Sequence, residues 1–90
     1  MEFSMEERKK LIKKYGLNKT DRLEFCLIEI DKFIEKKDKK IQEIKIQDIY
    51  DIGFFIGILA FFLDDLPETI KYTVSELHTD ISLNTEKYLR

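Results

Sequence analysis

The chain has 90 residues, of which 43% are hydrophobic and 38% are charged, with a net charge of −2. That length predicts one domain over residues 1–90. The balance of apolar and charged residues excludes a disordered chain or a chain built of membrane spans. Cys26 is the single cysteine, which excludes the disulfide-stapled class of secreted domain. The acidic N-terminus lacks the apolar segment of a secretory signal, so we expect a cytoplasmic protein.

The first forty residues predict two helices. Ser4 and Glu7 have the spacing of a capping box, and Gly16 suits the end of a helix, so the first helix is predicted over residues 5–15. Asn18 or Thr20 could cap the second, predicted over 19–37. Its apolar residues recur at intervals of three and four: Leu23, Cys26, Leu27, Ile30, Phe33 and Ile34.

The pattern of residues 41–47 fits either a strand or a helix. Ile44 and Ile46 alternate as in a strand, whereas Ile41, Ile44 and Asp48 have helical spacing. We favour an extended segment or an early helical turn, with the third helix established from about residue 47.

The third helix, predicted over residues 47–65, contains twelve successive residues without a polar side chain, 52–63. A membrane span needs about twenty, and acidic residues flank this run on both sides. A helix that is apolar all round is usually central and buried. Because three other helices are too few to surround it, we expect a second copy or a partner protein to cover part of it.

The fourth helix is predicted over residues 67–83, since Pro67 and Glu68 suit a first helical turn. Its apolar residues again follow helical spacing: Leu66, Ile70, Val74, Leu77, Ile81 and Tyr88. The predicted fold is therefore an all-α, antiparallel bundle of about four helices.

Two glycines and three phenylalanines of the third helix form the predicted interface. Gly53 and Gly57 lie four residues apart, which permits a close helix crossing, within the fold or between subunits. Large aromatic side chains contribute most per residue to interfaces, and the candidates are Phe54, Phe61 and Phe62. The predicted partner is a protein, with a homodimer favoured.

No residue pattern in this sequence predicts catalysis, a metal site or a bound cofactor. His78 has acidic neighbours only two residues away, on other sides of a helix. Cys26 lies on an apolar stripe, and buried cysteine usually behaves as a small hydrophobic residue. We therefore expect a non-enzymatic protein without a small-molecule substrate.

A second interpretation is a helix-turn-helix DNA-binding protein that uses residues 8–25. The second helix would then present Lys19, Thr20 and Arg22 to nucleic acid. Ile12 stands where that motif usually has a small residue, and Arg22 where it has an apolar one. The negative net charge also makes nucleic acid the less favoured partner.

Residues 7–17 (ERKKLIKKYGL) and 29–34 (EIDKFI) resemble the Spo0E-like phosphatases of spore-forming bacteria. The resemblance covers less than half of the chain and implies a helical hairpin that acts on response regulators. The serine-glutamine-glutamate-leucine-aspartate signature of that family is represented by leucine-isoleucine-glutamate-isoleucine-aspartate at residues 27–31, one position further from the glycine. No active residue is transferred, and such an activity would require Glu29 or Asp31 to be exposed.

Size, acidity and apolar surface together favour a small intracellular module that binds another protein. The expected role is a regulator or inhibitor of the antitoxin, immunity or anti-defence type.

Overall fold

Four α-helices follow one another in the computed structural model, which describes residues 1–39 and 44–88. No strand occurs within those ranges, so the all-α prediction is confirmed. The helices are α1 (Met5–Tyr15), α2 (Leu17–Lys39), α3 (Ile46–Ala60) and α4 (Glu68–Tyr88), with a 3-10 turn at Leu63–Asp65 between the last two.

The start of α1 is the predicted capping box. The backbone amide of Ser4 donates to Oε1 of Glu7 at 2.7 Å, and the amide of Glu7 donates to Oγ of Ser4 at 3.1 Å. These bonds satisfy amides that have no partner inside the helix. The helix ends at Gly16, whose amide donates to the carbonyl oxygen of Ile12 at 2.8 Å.

The start of α2 differs from the prediction. The helix begins at Leu17, immediately after Gly16, so Asn18 and Thr20 lie inside it and neither is its cap. Thr20 is fully buried, and its hydroxyl donates to the carbonyl oxygen of Gly16 at 2.9 Å. This bond ties the first turn of α2 to the residue that ends α1.

The bounds of α3 are shifted relative to residues 47–65. Lys45 is extended and helix begins at Ile46, while residues 40–43 fall outside the described ranges. At the other end, the amide of Phe61 donates to Ile58 and that of Phe62 to Leu59. These shorter-range bonds tighten the last turn and end the α-helix at Ala60.

Neighbouring helices pack in chain order, α1 on α2, α2 on α3 and α3 on α4. The antiparallel course of α2 and α3 is visible at two points, where Phe25 contacts Phe55 and Lys36 pairs with Asp48. The predicted stripes of α2 and α4 lie in the core, apart from half-buried Ile34 and from Tyr88, whose side chain is outside the description. The buried set of α3 is Ile49, Ile52, Ile56 and Leu59.

Regular helix in α4 runs to residue 83 as predicted, and helical residues continue beyond a break to Tyr88. Its path bends at Asn84, where φ is −126° and ψ is 20°. An ion pair between Lys37 and Asp80, with Nζ and Oδ2 3.2 Å apart, connects α4 to the end of α2.

Asp48 joins the start of α3 to α2, and its carboxylate should make stability depend on pH. Its Oδ2 accepts from Lys36 Nζ at 2.9 Å and from the Lys45 amide at 2.9 Å. The Lys36 ammonium, followed by the Lys45 amide, lowers the pKa of Asp48 below its ordinary value. A carboxyl group whose pKa is lower in the folded than in the unfolded chain stabilises the fold at pH values above its unfolded pKa, which is about 4 for aspartate. That stabilisation is lost as the pH falls through the pKa of the folded state.

We therefore expect Asp48→Asn to lower the free energy of unfolding by about 1 kcal/mol at neutral pH. The difference from the parent should vanish at a pH below both pKa values. Urea titrations at several pH values would measure it, with Asp51→Asn on the exposed side of the same helix as control. Equal losses at all pH values would show that the charge of Asp48 is not responsible.

Candidate interaction surface

The helix α3 is apolar on both its buried and its exposed sides. Its outward side chains include Tyr50 and Phe54, each 65% exposed, and Phe61 just beyond its end, 88% exposed. At 3.6 residues per turn the outward apolar positions span an arc of about 120°, and the exposed polar residues Gln47 and Asp51 lie along one edge of it. We call this set the α3 face: Ile46, Tyr50, Gly53, Phe54, Gly57, Ala60 and Phe61.

Gly53 and Gly57 leave a bare strip within the α3 face. A methyl group built at either glycine would meet no atom of the described chain within 4 Å. The close crossing expected for these glycines is therefore not made by a helix inside the described fold. The surface above the two glycines is therefore accessible to another molecule.

Phe62 belongs to a different environment from the other predicted interface residues. Its ring is half-buried and meets the edge of Tyr15 with centroids 4.8 Å apart, at an angle of 87°. The Tyr15 hydroxyl donates to Asp65, and Lys14 Nζ lies 3.0 Å from Asp65 Oδ2. Phe62 thus joins α1 to the turn after α3, whereas the structure brings Gly53, Phe54, Gly57 and Phe61 together on one exposed face.

The apolar surface continues from α3 onto α2. Phe54 contacts Phe55 at a centroid distance of 5.9 Å, and Phe55 contacts Phe25 at 5.7 Å, both in edge-on geometry. Phe25 and Ile28 of α2 are about half exposed. The departure of Phe25 and Ile28 from the core stripe of α2 was the sequence signal for this extension.

Charged pairs line the grooves on either side of α2. The groove between α2 and α3 contains the Lys36–Asp48 pair, and the groove between α2 and α4 contains Lys37 and Asp80. These lysines and carboxylates neutralise one another within the chain. The α3 face differs from both grooves because it presents rings and bare backbone rather than charge.

The residues predicted to contact nucleic acid do not form one surface. Lys19 and Arg22 are exposed, but Thr20 is buried, so its side chain is not available for such a contact. Nearby, Arg8 pairs with Glu24 (Nε–Oε1, 2.7 Å) and with Asp21 (3.0 Å). Two acidic side chains therefore lie beside the basic residues at this corner.

The acidic residues of the Spo0E-like resemblance are only partly exposed. Glu29 lies 3.2 Å from Lys32 (Oε1–Nζ), with its side chain 29% exposed, and Asp31 pairs with the amino group of Met1. Each carboxylate thus has a cationic partner within the chain.

Cys26 and His78 lie in different environments. Cys26 is fully buried, and burial raises the pKa of its thiol, which disfavours the reactive thiolate. His78 is exposed on α4. Among the residues that the structure describes, no three side chains of the metal-ligating types come together, and no helix is long and apolar enough to cross a membrane.

The fold and the α3 face together define a small all-α bundle that exposes one apolar helix face. Comparison with models of protein families, with curated proteins and with solved structures found no match to this chain.

Proposed function

We propose that this chain is a small protein-interaction module of the regulator or inhibitor type, and that the α3 face is a surface through which it associates with protein, either another protein or a second copy of itself. The observation that carries the proposal is the apolar surface on the exposed part of α3, which Gln47 and Asp51 border on one edge. Tyr50, Phe54 and Phe61 stand on it with most of their surface in water.

The physical basis is the cost of leaving such a surface exposed. Large contiguous apolar patches on small proteins commonly mark binding sites, and buried aromatic anchors dominate interface energies. Removing three rings from water is favourable in proportion to the apolar area covered. The exposed apolar side chains outside this region, among them Met5, Tyr72 and Leu83, belong to helices that also carry many charged residues.

A photo-crosslinking amino acid, p-benzoylphenylalanine, would test the proposal in living cells. Placed at Phe61 it sits on the α3 face, and placed at His78 it sits on an exposed part of α4. We expect a discrete protein adduct after illumination of the Phe61 variant and none with the His78 variant. The same set of non-discrete adducts with both variants, or no adduct with either, would contradict a binding role for this face.

The Phe61→Ala variant provides a quantitative check once the bound protein is known. Truncation of a buried aromatic anchor costs about 2 kcal/mol or more, which is roughly a thirtyfold loss of affinity. Helix content should not change, because the ring is 88% exposed and makes little contact with the core. A change in affinity below about twofold would show that this ring is not an anchor.

A further inference from the structure

We infer that the occupant of the α3 face is a second copy of this chain, packed antiparallel about a twofold axis. Phe54 of one copy lies over Gly57 of the other, and Tyr50 of one lies against Phe61 of the other. This inference rests on the proposed function, because it names the protein that covers the same face.

The spacing of residues along α3 makes the face complementary to itself. Tyr50 and Phe54 are four residues apart, and so are Gly57 and Phe61. When two helices run in opposite directions, one alignment places both pairs opposite each other at once. A twofold interface requires this reciprocity. If one residue of the first copy contacts a second residue in the other copy, the same two residues must also be in contact with the copies exchanged.

The glycines supply the space that the projecting rings need. The position above Gly57 is empty to 4 Å, so a ring from the second copy can lie against the backbone there. Small residues allow two helices to approach closely. In the same alignment Tyr50 of one copy and Phe61 of the other lie opposite each other, and aromatic pairs are favourable at centroid distances of about 4.5–7 Å.

Charge favours a second copy over a protein selected by electrostatic attraction. Recognition of a charged partner depends on complementary charge at the interface, and the α3 face has none. An identical face therefore brings neither repulsion nor an unpaired charge.

The exposed area is close to what a specific dimer requires. The three rings and Ile46 are 53–88% exposed, which corresponds to roughly 500 Å² of apolar surface per copy. A twofold pair that covered all of this surface would bury about 1,000 Å², which is at the lower limit for a specific interface and within the range of weak, transient ones. Phe25, adjoining through Phe55, adds to that area.

Light scattering on the purified chain over a wide range of concentration tests the inference. We expect the mass to rise from 10.8 kDa to twice that value. Gly57→Leu should weaken the dimer at least tenfold, because the leucine fills the space that Phe54 of the other copy needs. It should fold normally, since the space above Gly57 is open in a single copy, and circular dichroism would check this. Ser75→Leu, on an exposed part of α4, is the matched control and should leave the dimer intact.

Several results would overturn the second copy as occupant. A parent chain that stays at the monomer mass at every concentration would do so, as would a dimer that Gly57→Leu leaves unchanged. A photo-adduct from Phe61 at a mass other than twice that of the chain would identify a different protein, so that the proposed function survives and this inference fails. No adduct at all would instead contradict the proposed function itself.

Discussion

Leu59→Ala should lower the free energy of unfolding by about 3 kcal/mol, a typical loss for a buried leucine. Leu59 lies on the inward side of α3 and has no exposed surface. Its truncation removes apolar contacts and leaves a cavity that the surrounding helices fill only in part. For a chain of this size, total stability is about 5–13 kcal/mol, so the loss is a large fraction of it. The midpoint of thermal unfolding should fall by roughly 12–24 °C.

Urea unfolding followed by circular dichroism would measure this loss, with Leu83→Ala as the matched control. Leu83 is 77% exposed on α4, so the same truncation there should change stability by less than about 0.5 kcal/mol. Losses of similar size at the two positions would mean that the packing of Leu59 differs from the described core. The comparison also tests which side of α3 is buried. The position of the α3 face depends on that result.

Periodicity in the sequence was enough to predict four helices, but it did not reveal which side of α3 is buried. The stripes of α2 and α4 alternate with charged residues, so their inward sides follow from the pattern alone. Residues 52–63 have no polar side chain, and every direction around that helix looks equally apolar. Packing against α2 and α4 selects Ile52, Ile56 and Leu59 for the core, and the side opposite them becomes the exposed face.

The ends of the helices were harder to predict because tertiary contacts decide them. Thr20 has the chemistry of a cap, yet it lies within α2, where its side chain is fully buried and its hydroxyl donates to the carbonyl oxygen of Gly16 one turn earlier. The apolar run predicted a continuous helix to residue 65. The chain instead turns at Phe61 and Phe62, where the Phe62 ring packs on Tyr15 and Asp65 pairs with Lys14. None of these partners is adjacent in sequence.

The predicted interface residues were recognisable in the sequence, but the sequence did not show which of them are buried and which are exposed. Glycine and phenylalanine in an apolar run indicate close contact whether that contact is internal or external. Phe62 and Phe61 are neighbours with the same side chain, yet one packs on α1 and the other is 88% exposed. Tyr50 was missed because it precedes the unbroken apolar run, although helical spacing places it on the same side as Phe54 and Phe61.

Gly16→Ala should destabilise the fold by about 2 kcal/mol through backbone strain alone. Gly16 has φ of 93° and ψ of 164°, a region that only glycine adopts readily and where other residues cost about 1–3 kcal/mol. Apart from the two adjacent residues, a methyl group there would meet no atom within 4 Å, so crowding by the rest of the fold does not contribute. The backbone cannot relax freely, because its amide donates to Ile12 and its carbonyl accepts from the Thr20 amide and hydroxyl.

The same substitution at Gly53 should have the opposite sign, which makes it the matched control. Gly53 lies inside α3 with open space above it, and alanine is favoured over glycine in a helix by up to about 1 kcal/mol. Urea unfolding of both variants should be measured at concentrations where light scattering gives the monomer mass, so that association does not contribute. Gly16→Ala should then be less stable than the parent and Gly53→Ala at least as stable. A stable Gly16→Ala would show that the corner between α1 and α2 adopts another backbone path, and that the Thr20 bond does not hold it in place.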